Sequence, residues 1–335
     1  MSLAPRAVLV HRVTEYEGLL ARHGTHGQAE FFLSSRGRSI EDVQRRHERN
    51  LRGLAEVAAA VPLSWRQARV ERADLDRFLF GPEDVVVVVG QDGLVANAAK
   101  YLDGQPVVGI DTDPGRNPGV LVRHRAADAG ALLRSAVASA GRTGVDALTM
   151  AEAVTDDGQR LLALNEIYLG PPTHQTARYT LAVEGGTGSA GSAESVVSAH
   201  PTGARGATGT TGATEPTGAR RSAPEPQASS GVLIGTGTGA TGWLRSLWHE
   251  RSSPLALPAP TARRLAWFVR EAWPSPTTGT TRVEGVLDAT SSLHLTVESD
   301  RLVAFGDGME SDALDLAWGQ TVRVGVAGTA LRLVG

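Results

Sequence analysis

Five consecutive valines at positions 85–89 constrain the fold of this chain more than any other stretch. A β-branched run without polar alternation belongs to a strand covered on both faces, which places it inside a parallel sheet with helices above and below. The neighbouring pattern agrees. Residues 7–10 read as a first strand and 106–110 as another buried strand. Residues 40–60 read as a helix whose Glu41/Arg45 and Asp42/Arg46 spacings make a solvated face, and 95–102 as a second helix. Alternating strand and helix predicts an α/β N-terminal domain built on an open parallel sheet.

After a helix near 129–138 the pattern changes to short strands, at 147–154, 160–164, 178–183 and 232–234. It continues through Leu293/Leu295/Val297, 302–305, Val322/Val324/Val326 and Leu331/Leu333, with Gly306-Asp307-Gly308 as a turn. The expected organisation is an α/β domain over 1–142, a boundary near Gly141 to Gly144, and a β-rich, sandwich-like domain over 143–335. The tract 184–230 holds no Phe, Trp or Tyr and almost no large apolar side chain, so it is expected to be a disordered low-complexity insertion.

The charge balance excludes two classes of partner. Thirty-three basic and 36 acidic residues nearly cancel without long blocks of either sign, so neither nucleic acid nor an anionic membrane has an electrostatic footprint to meet. No cysteine is present, which removes disulfides and thiolate chemistry and fits a cytoplasmic setting. No apolar run reaches the roughly twenty residues that span a bilayer, and residues 1–6 lead directly into the first strand, so no targeting segment is expected.

Three segments carry candidate chemistry. The valine strand ends in Gly90-Gln91-Asp92-Gly93 and opens a helix at the carboxyl edge of the sheet, where α/β proteins bind ligands. Amides there can hold phosphate oxygens, and Asp92 can take a proton from a hydroxyl or help hold magnesium. The same residues also suit a plain tight turn with an acidic helix start. Asn165-Glu166 interrupts an otherwise apolar strand; the pair can hydrogen-bond ribose hydroxyls or simply face solvent at a strand end. The stretch from Ser230 to Trp243 runs from an apolar strand through alternating Thr and Gly to an apolar helical face made by Trp243, Leu244, Leu247 and Trp248. Glycines 235, 237 and 239 allow close backbone approach to a ligand, and Thr236, Thr238 and Thr241 supply hydroxyls. Similar Thr-Gly runs in the preceding tract lack the flanking strand and helix.

Taken in order, Gly90-Gln-Asp-Gly93, Gly109-Ile-Asp-Thr-Asp-Pro114, Ala163-Leu-Asn-Glu-Ile167 and Ser230-Gly-Val-Leu-Ile-Gly-Thr-Gly-Thr-Gly239 resemble the NAD kinase family. Trp267-Phe-Val-Arg-Glu271 and Asp307-Gly-Met-Glu310 look similar too. The Thr-Gly-Thr-Gly loop is most similar to the branch related to mitochondrial-type enzymes. The resemblance covers the chain outside the insertion. It implies transfer of the terminal phosphate of ATP to the 2′-hydroxyl of NAD, with a divalent metal, magnesium being expected, and a homodimer or larger assembly. It also implies roles: Asp92 as base; Gly90, Gln91 and Gly93 as the phosphate loop; Asn165, Glu166, Thr236, Thr238, Thr241 and Trp243 around NAD. No metal ligand is assigned. This chain departs from the family loop Gly-Gly-Asp-Gly-Thr at Gln91 and Leu94, has Asp111 where Asn is usual, and Ser230 where Asp is common. A catalytically weak or inactive dinucleotide-binding relative, acting as sensor or regulator, is therefore the alternative. A third reading, a lipid kinase with a similar first loop, is disfavoured because the Asn165-Glu166 and Thr236–Trp243 elements match the NAD kinase pattern.

Overall fold

The computed structural model describes residues 4–116, 119–138, 144–185 and 220–335. The first part contains β1 (Arg6–His11), α1 (Glu15–His23), α2 (His26–Ser34), α3 (Ile40–Ala60), β2 (Arg66–Glu71), β3 (Asp84–Gly90), α4 (Asp92–Ala99), β4 (Pro106–Asp111) and α5 (Ala129–Ala138). Its strands lie parallel in the order β2-β1-β3-β4. The valine run explains why. Val85, Val87 and Val89 face Leu54 and Val57 of α3 and Leu133 of α5, while Val86 and Val88 face Val95 and Ala98 of α4 on the other side. All five are buried, at roughly 1.5–3 kcal/mol for each fully covered side chain.

The second part contains β5 (Val145–Thr155), β6 (Arg160–Ala163), β7 (Glu166–Gly170), β8 (Ala177–Gly185), β9 (Arg220–Arg221), β10 (Glu225–Ser229), β11 (Val232–Gly235), α6 (Trp243–Glu250), β12 (Arg264–Val269), β13 (Glu284–Asp288), β14 (Ser292–Val297), β15 (Arg301–Gly306), β16 (Met309–Ala317) and β17 (Thr321–Val334). One antiparallel sheet runs β13-β12-β11-β7-β15-β16. It packs on the antiparallel strands β5, β6, β8, β14 and β17 through a core that includes Ile167, Val232, Ile234 and Trp267 from one side and Tyr179, Leu293, Leu295 and Val322 from the other. The fold is thus an α/β domain with a mainly parallel sheet followed by a β-rich sandwich. The last strand joins them: β17 pairs antiparallel with β5 and β14, and then Arg332 and Leu333 run parallel to Pro106 and Val107 of β4.

The boundary expected near Gly141 to Gly144 falls largely outside the described residues, as does most of the expected insertion 184–230. The end of that tract is a strand and not disordered coil: Glu225–Ser229 pairs antiparallel with β8. Hydropathy misses it because its inward groups are polar. Gln227 accepts a bond from the Tyr179 hydroxyl at 3.2 Å and donates to the Arg282 carbonyl at 2.8 Å, and Ser229 shares a 2.7 Å bond with the same tyrosine. Buried polar groups are tolerated when paired in this way. Among the described residues no helix is long and apolar enough to cross a membrane.

Candidate functional site

The start of α4 is fixed from outside the helix. Asp92 accepts backbone N–H bonds from Val120 (3.0 Å), Leu121 (2.8 Å) and Val122 (2.9 Å), so three of the roughly four lone-pair directions of its carboxylate are taken. Gln91 precedes the helix with φ −128° and ψ 162°, ordinary extended backbone, so no glycine is required at this position. Leu94 points into the core between β3 and α4 instead of toward a ligand, and the side chain of Asp111 accepts the Asp113 amide at 2.8 Å within a local turn. The departures at Gln91, Leu94 and Asp111 therefore sit in this fold without backbone strain.

The Thr-Gly loop lies against the break between β6 and β7. Thr236 donates its amide to the Asn165 carbonyl (2.8 Å) and its hydroxyl to the Leu164 carbonyl (2.5 Å), and the same hydroxyl oxygen accepts the amides of Thr238 and Gly239. Thr236 is fully buried and spends its hydroxyl on holding the loop. Gly239 is needed for contact, because a Cβ there would lie 2.2 Å from the Asn165 carbonyl oxygen and 3.0 Å from Glu166 Oε2. The Thr238 hydroxyl is buried and finds no hydrogen-bond partner among the described residues. Thr241 donates to the Thr238 carbonyl at 3.0 Å. Trp243 opens α6, stacks on Tyr168 at 5.6 Å between centroids, and lies under the Arg270 guanidinium at 5.4 Å.

A cavity of about 110 Å³ gathers Asp92, Asn165, Glu166, Thr238, Thr241 and Trp243, with Val120 and Leu121 closing one side. Six predicted site residues from three distant segments therefore share one cleft between the α/β domain and the sandwich. Thr236 stands behind it. Gly90 and Gln91 open on a second cavity of about 260 Å³ on the other flank of the α4 start, and Gly93 lies in the exposed first turn of the helix.

One further residue organises the cleft and received no role from the sequence. Asp307, at φ 54° between Gly306 and Gly308, accepts the amides of Leu164 (2.8 Å), Asn165 (2.7 Å) and Glu166 (3.3 Å). Its carbonyl accepts a 3.0 Å bond from Asn97 of α4, and Asn97 in turn accepts from Arg72 at 2.6 Å. Lys100, one turn further along, is buried and pairs with Asp312 at 2.6 Å. Helix α4 thus ties the 120–122 loop to the Asp307 turn, and Asp307 sets the backbone of Glu166. Read as a turn aspartate between two glycines, Asp307 gives no signal of the three amides it captures.

Electrostatics separates the carboxyls. Burial raises Glu166 to about 8 from its ordinary 4.5, with the negative charge of Asp307 adding to the rise. Burial also lifts Asp307, to about 6, against the lowering effect of its amide bonds and of Lys100. Among the described residues the Glu166 carboxyl has no hydrogen-bond donor, so it faces the cleft uncompensated. No group of three or more His, Cys, Asp or Glu among the described residues converges to hold a metal ion.

No protein-family model matches this chain, and no curated protein matches its sequence. Among solved structures, yeast NADH kinase complexed with NADH is similar to it with a TM-score of 0.54 at 12% identity, over 99% of this chain and 84% of that one. At that identity the likeness is one of fold: this chain and that kinase share the α/β domain with a mainly parallel sheet and the antiparallel β-rich domain that follows it.

Proposed function

We propose that the chain is an NAD kinase that transfers the terminal phosphate of ATP to the 2′-hydroxyl of the adenosine ribose of NAD, giving NADP. The observation that carries this reading is the meeting of Asp92, Asn165, Glu166, Thr238, Thr241 and Trp243 at one cleft. The shared fold with yeast NADH kinase supports it. In such a transfer the acceptor oxygen bonds to the terminal phosphorus, the bridging bond to ADP breaks, and the hydroxyl proton passes to a carboxylate. Asp92, with one lone-pair direction left, is the proposed base. Glu166 and Asn165 are the proposed ribose ligands. The unpaired Thr238 hydroxyl offers a further bond, and Trp243 supplies the apolar wall.

A divalent metal would neutralise charge on the donor's phosphates, and magnesium in such sites is held by phosphates and one or two carboxylates. A cytoplasmic homo-oligomer goes with this reading. The commitment of Asp92 to three amides favours the second reading, a relative that binds the dinucleotide and turns it over slowly or not at all. Incubation of the pure protein with NAD, ATP and magnesium decides between them. Enzymatic detection of NADP supports the kinase; NAD binding by calorimetry without NADP supports the second reading; neither binding nor product defeats both.

A further inference from the structure

Lys100, which closes the C-terminal end of α4, is a buried charge that the proposed chemistry leaves without a task. Its side chain is 2% exposed, and its ammonium meets Asp312 of β16 at 2.6 Å and the Gly306 carbonyl at 3.3 Å. Asp312 also accepts a 2.7 Å bond from the Tyr101 hydroxyl. A buried ion pair of this kind gains little over apolar side chains of the same volume, so stability alone does not account for it. Its place does. Residues 97 and 100 stand three apart on one helical face, and both reach the same turn: Asn97 donates to the Asp307 carbonyl at 3.0 Å, and Lys100 to the carbonyl before it. That turn has no slack. A Cβ at Gly306 would lie 2.9 Å from the Ala163 Cβ and 3.0 Å from the Leu162 carbonyl oxygen, so the turn is pressed against the end of β6. The Asp307 carboxylate then takes the amides of Leu164, Asn165 and Glu166, and the positive charge of Lys100 favours the ionised form that accepts them.

We propose that Lys100 is a positioning residue for the dinucleotide site: by pinning the 306–307 turn to α4 it holds Asp307 against the backbone of residues 164–166, and so holds the Glu166 carboxyl at the cleft. The effect on NAD rests on the dinucleotide reading above; the hold on residues 164–166 does not. Lys100 touches no ligand. It acts in two bonded steps, from its ammonium to the Gly306 carbonyl and from the Asp307 carboxylate to the three amides. The same helix carries Asp92, whose carboxylate fixes the 120–122 loop, and Val120 and Leu121 of that loop close one side of the cleft. One rigid element therefore sets both the Glu166 side and the side facing it.

Lys100→Met alone leaves the Asp312 carboxylate with Tyr101 only, so the test uses Lys100→Met/Asp312→Asn, which removes both charges and keeps an acceptor for the Tyr101 hydroxyl. Hydrogen exchange of the full chain without ligand, resolved by residue with NMR, reads the hold directly. The amides of residues 164–166 exchange at least about tenfold faster in the variant, while those of β3 keep the wild-type rate. Unchanged rates at 164–166 overturn the proposal, and so does equal acceleration in β3, which reports general loosening. Calorimetry with NAD reads the consequence. Affinity falls about threefold to thirtyfold in the variant. The loss disappears when the same two changes are made in Glu166→Ala, because the effect passes through Glu166. Unchanged affinity, or losses that add in the combined protein, overturn the positioning role. Faster exchange confined to 164–166, with no NAD binding by the wild type, supports the hold of Lys100 and removes the dinucleotide reading.

Discussion

If Glu166 holds the ribose as proposed, its position should make NAD affinity pH-dependent in a range where an ordinary carboxylate is silent. With a pKa of about 8, the carboxyl is ionised in roughly 1% of molecules at pH 6 and in half of them at pH 8. Ribose hydroxyls donate to the ionised form, so apparent affinity follows the ionised fraction and rises roughly fiftyfold from pH 6 to pH 8 before levelling off. Binding near pH 7 then releases close to one proton, measurable by calorimetry in buffers of different ionisation enthalpy. Asp307, raised to about 6, titrates at the lower edge of this range but its carboxylate is already occupied by backbone amides, so Glu166 dominates the curve above pH 7. Glu166→Gln keeps the shape, removes the titration and gives a flat profile below the wild type at pH 9. Wild-type affinity that is constant from pH 6 to 9, or a Gln variant with the same slope, refutes the reasoning.

The same carboxyl opposes folding. The unfolded chain loses this proton near pH 4.5, whereas the folded chain keeps it to about pH 8, so wild-type stability declines across that interval and the loss is complete above it. The full shift corresponds to at most ~5 kcal/mol. Because Glu166 is only partly buried and opens on a cleft that water reaches, ~2 kcal/mol is the expected size. Urea unfolding should find Glu166→Gln more stable than wild type at pH 8 and indistinguishable from it near pH 4. A variant less stable at pH 8 would mean that the charged form is favoured in the fold.

Other perturbations test the frame around that residue. Asp92→Asn cannot accept all three amides of the 120–122 loop, so it should lose about 1–3 kcal/mol of stability in denaturant melts and about 10²–10⁴-fold in NADP formation, with NAD affinity within a few fold; normal turnover would remove Asp92 from the mechanism. Gly239→Ala should abolish NAD binding and lower the melting temperature, because its methyl would meet the Asn165 carbonyl oxygen at 2.2 Å; calorimetry showing wild-type affinity would disprove the close approach. Replacing residues 186–219 by a turn of about four residues should leave NAD affinity and melting temperature unchanged, since Gly185 and Arg220 face each other across β8 and β9 at hairpin spacing. A large drop in melting temperature would show that the replaced segment contributes to the fold.

Much of the architecture was legible because it depends on apolar periodicity. The valines of β3, the strand before the Thr-Gly loop and the alternating leucines of β14 each announce a covered surface, and each is covered. The break at Asn165-Glu166 was legible for the same reason, as a polar interruption of an apolar run. What stayed hidden depends on bonds between side chains and distant backbone. Asp92 meets amides 28 to 30 residues away, Asp307 meets amides more than 140 residues away, and β10 is held by Gln227 and Ser229 on Tyr179. No local spacing encodes such pairs, because the partner is whichever N–H the chain path leaves unpaired. Residue type alone therefore made Asp92 and Glu166 equal candidates for chemistry and Asp307 a mere turn. Packing reorders them: Asp92 and Asp307 are each tied to three amides, and Glu166 is left largely buried, without a donor among the described residues, and facing the cleft. A buried carboxyl without a partner costs stability unless a ligand supplies one, which is why Glu166, and not the more prominent glycine-flanked aspartates, is the residue on which dinucleotide binding should turn.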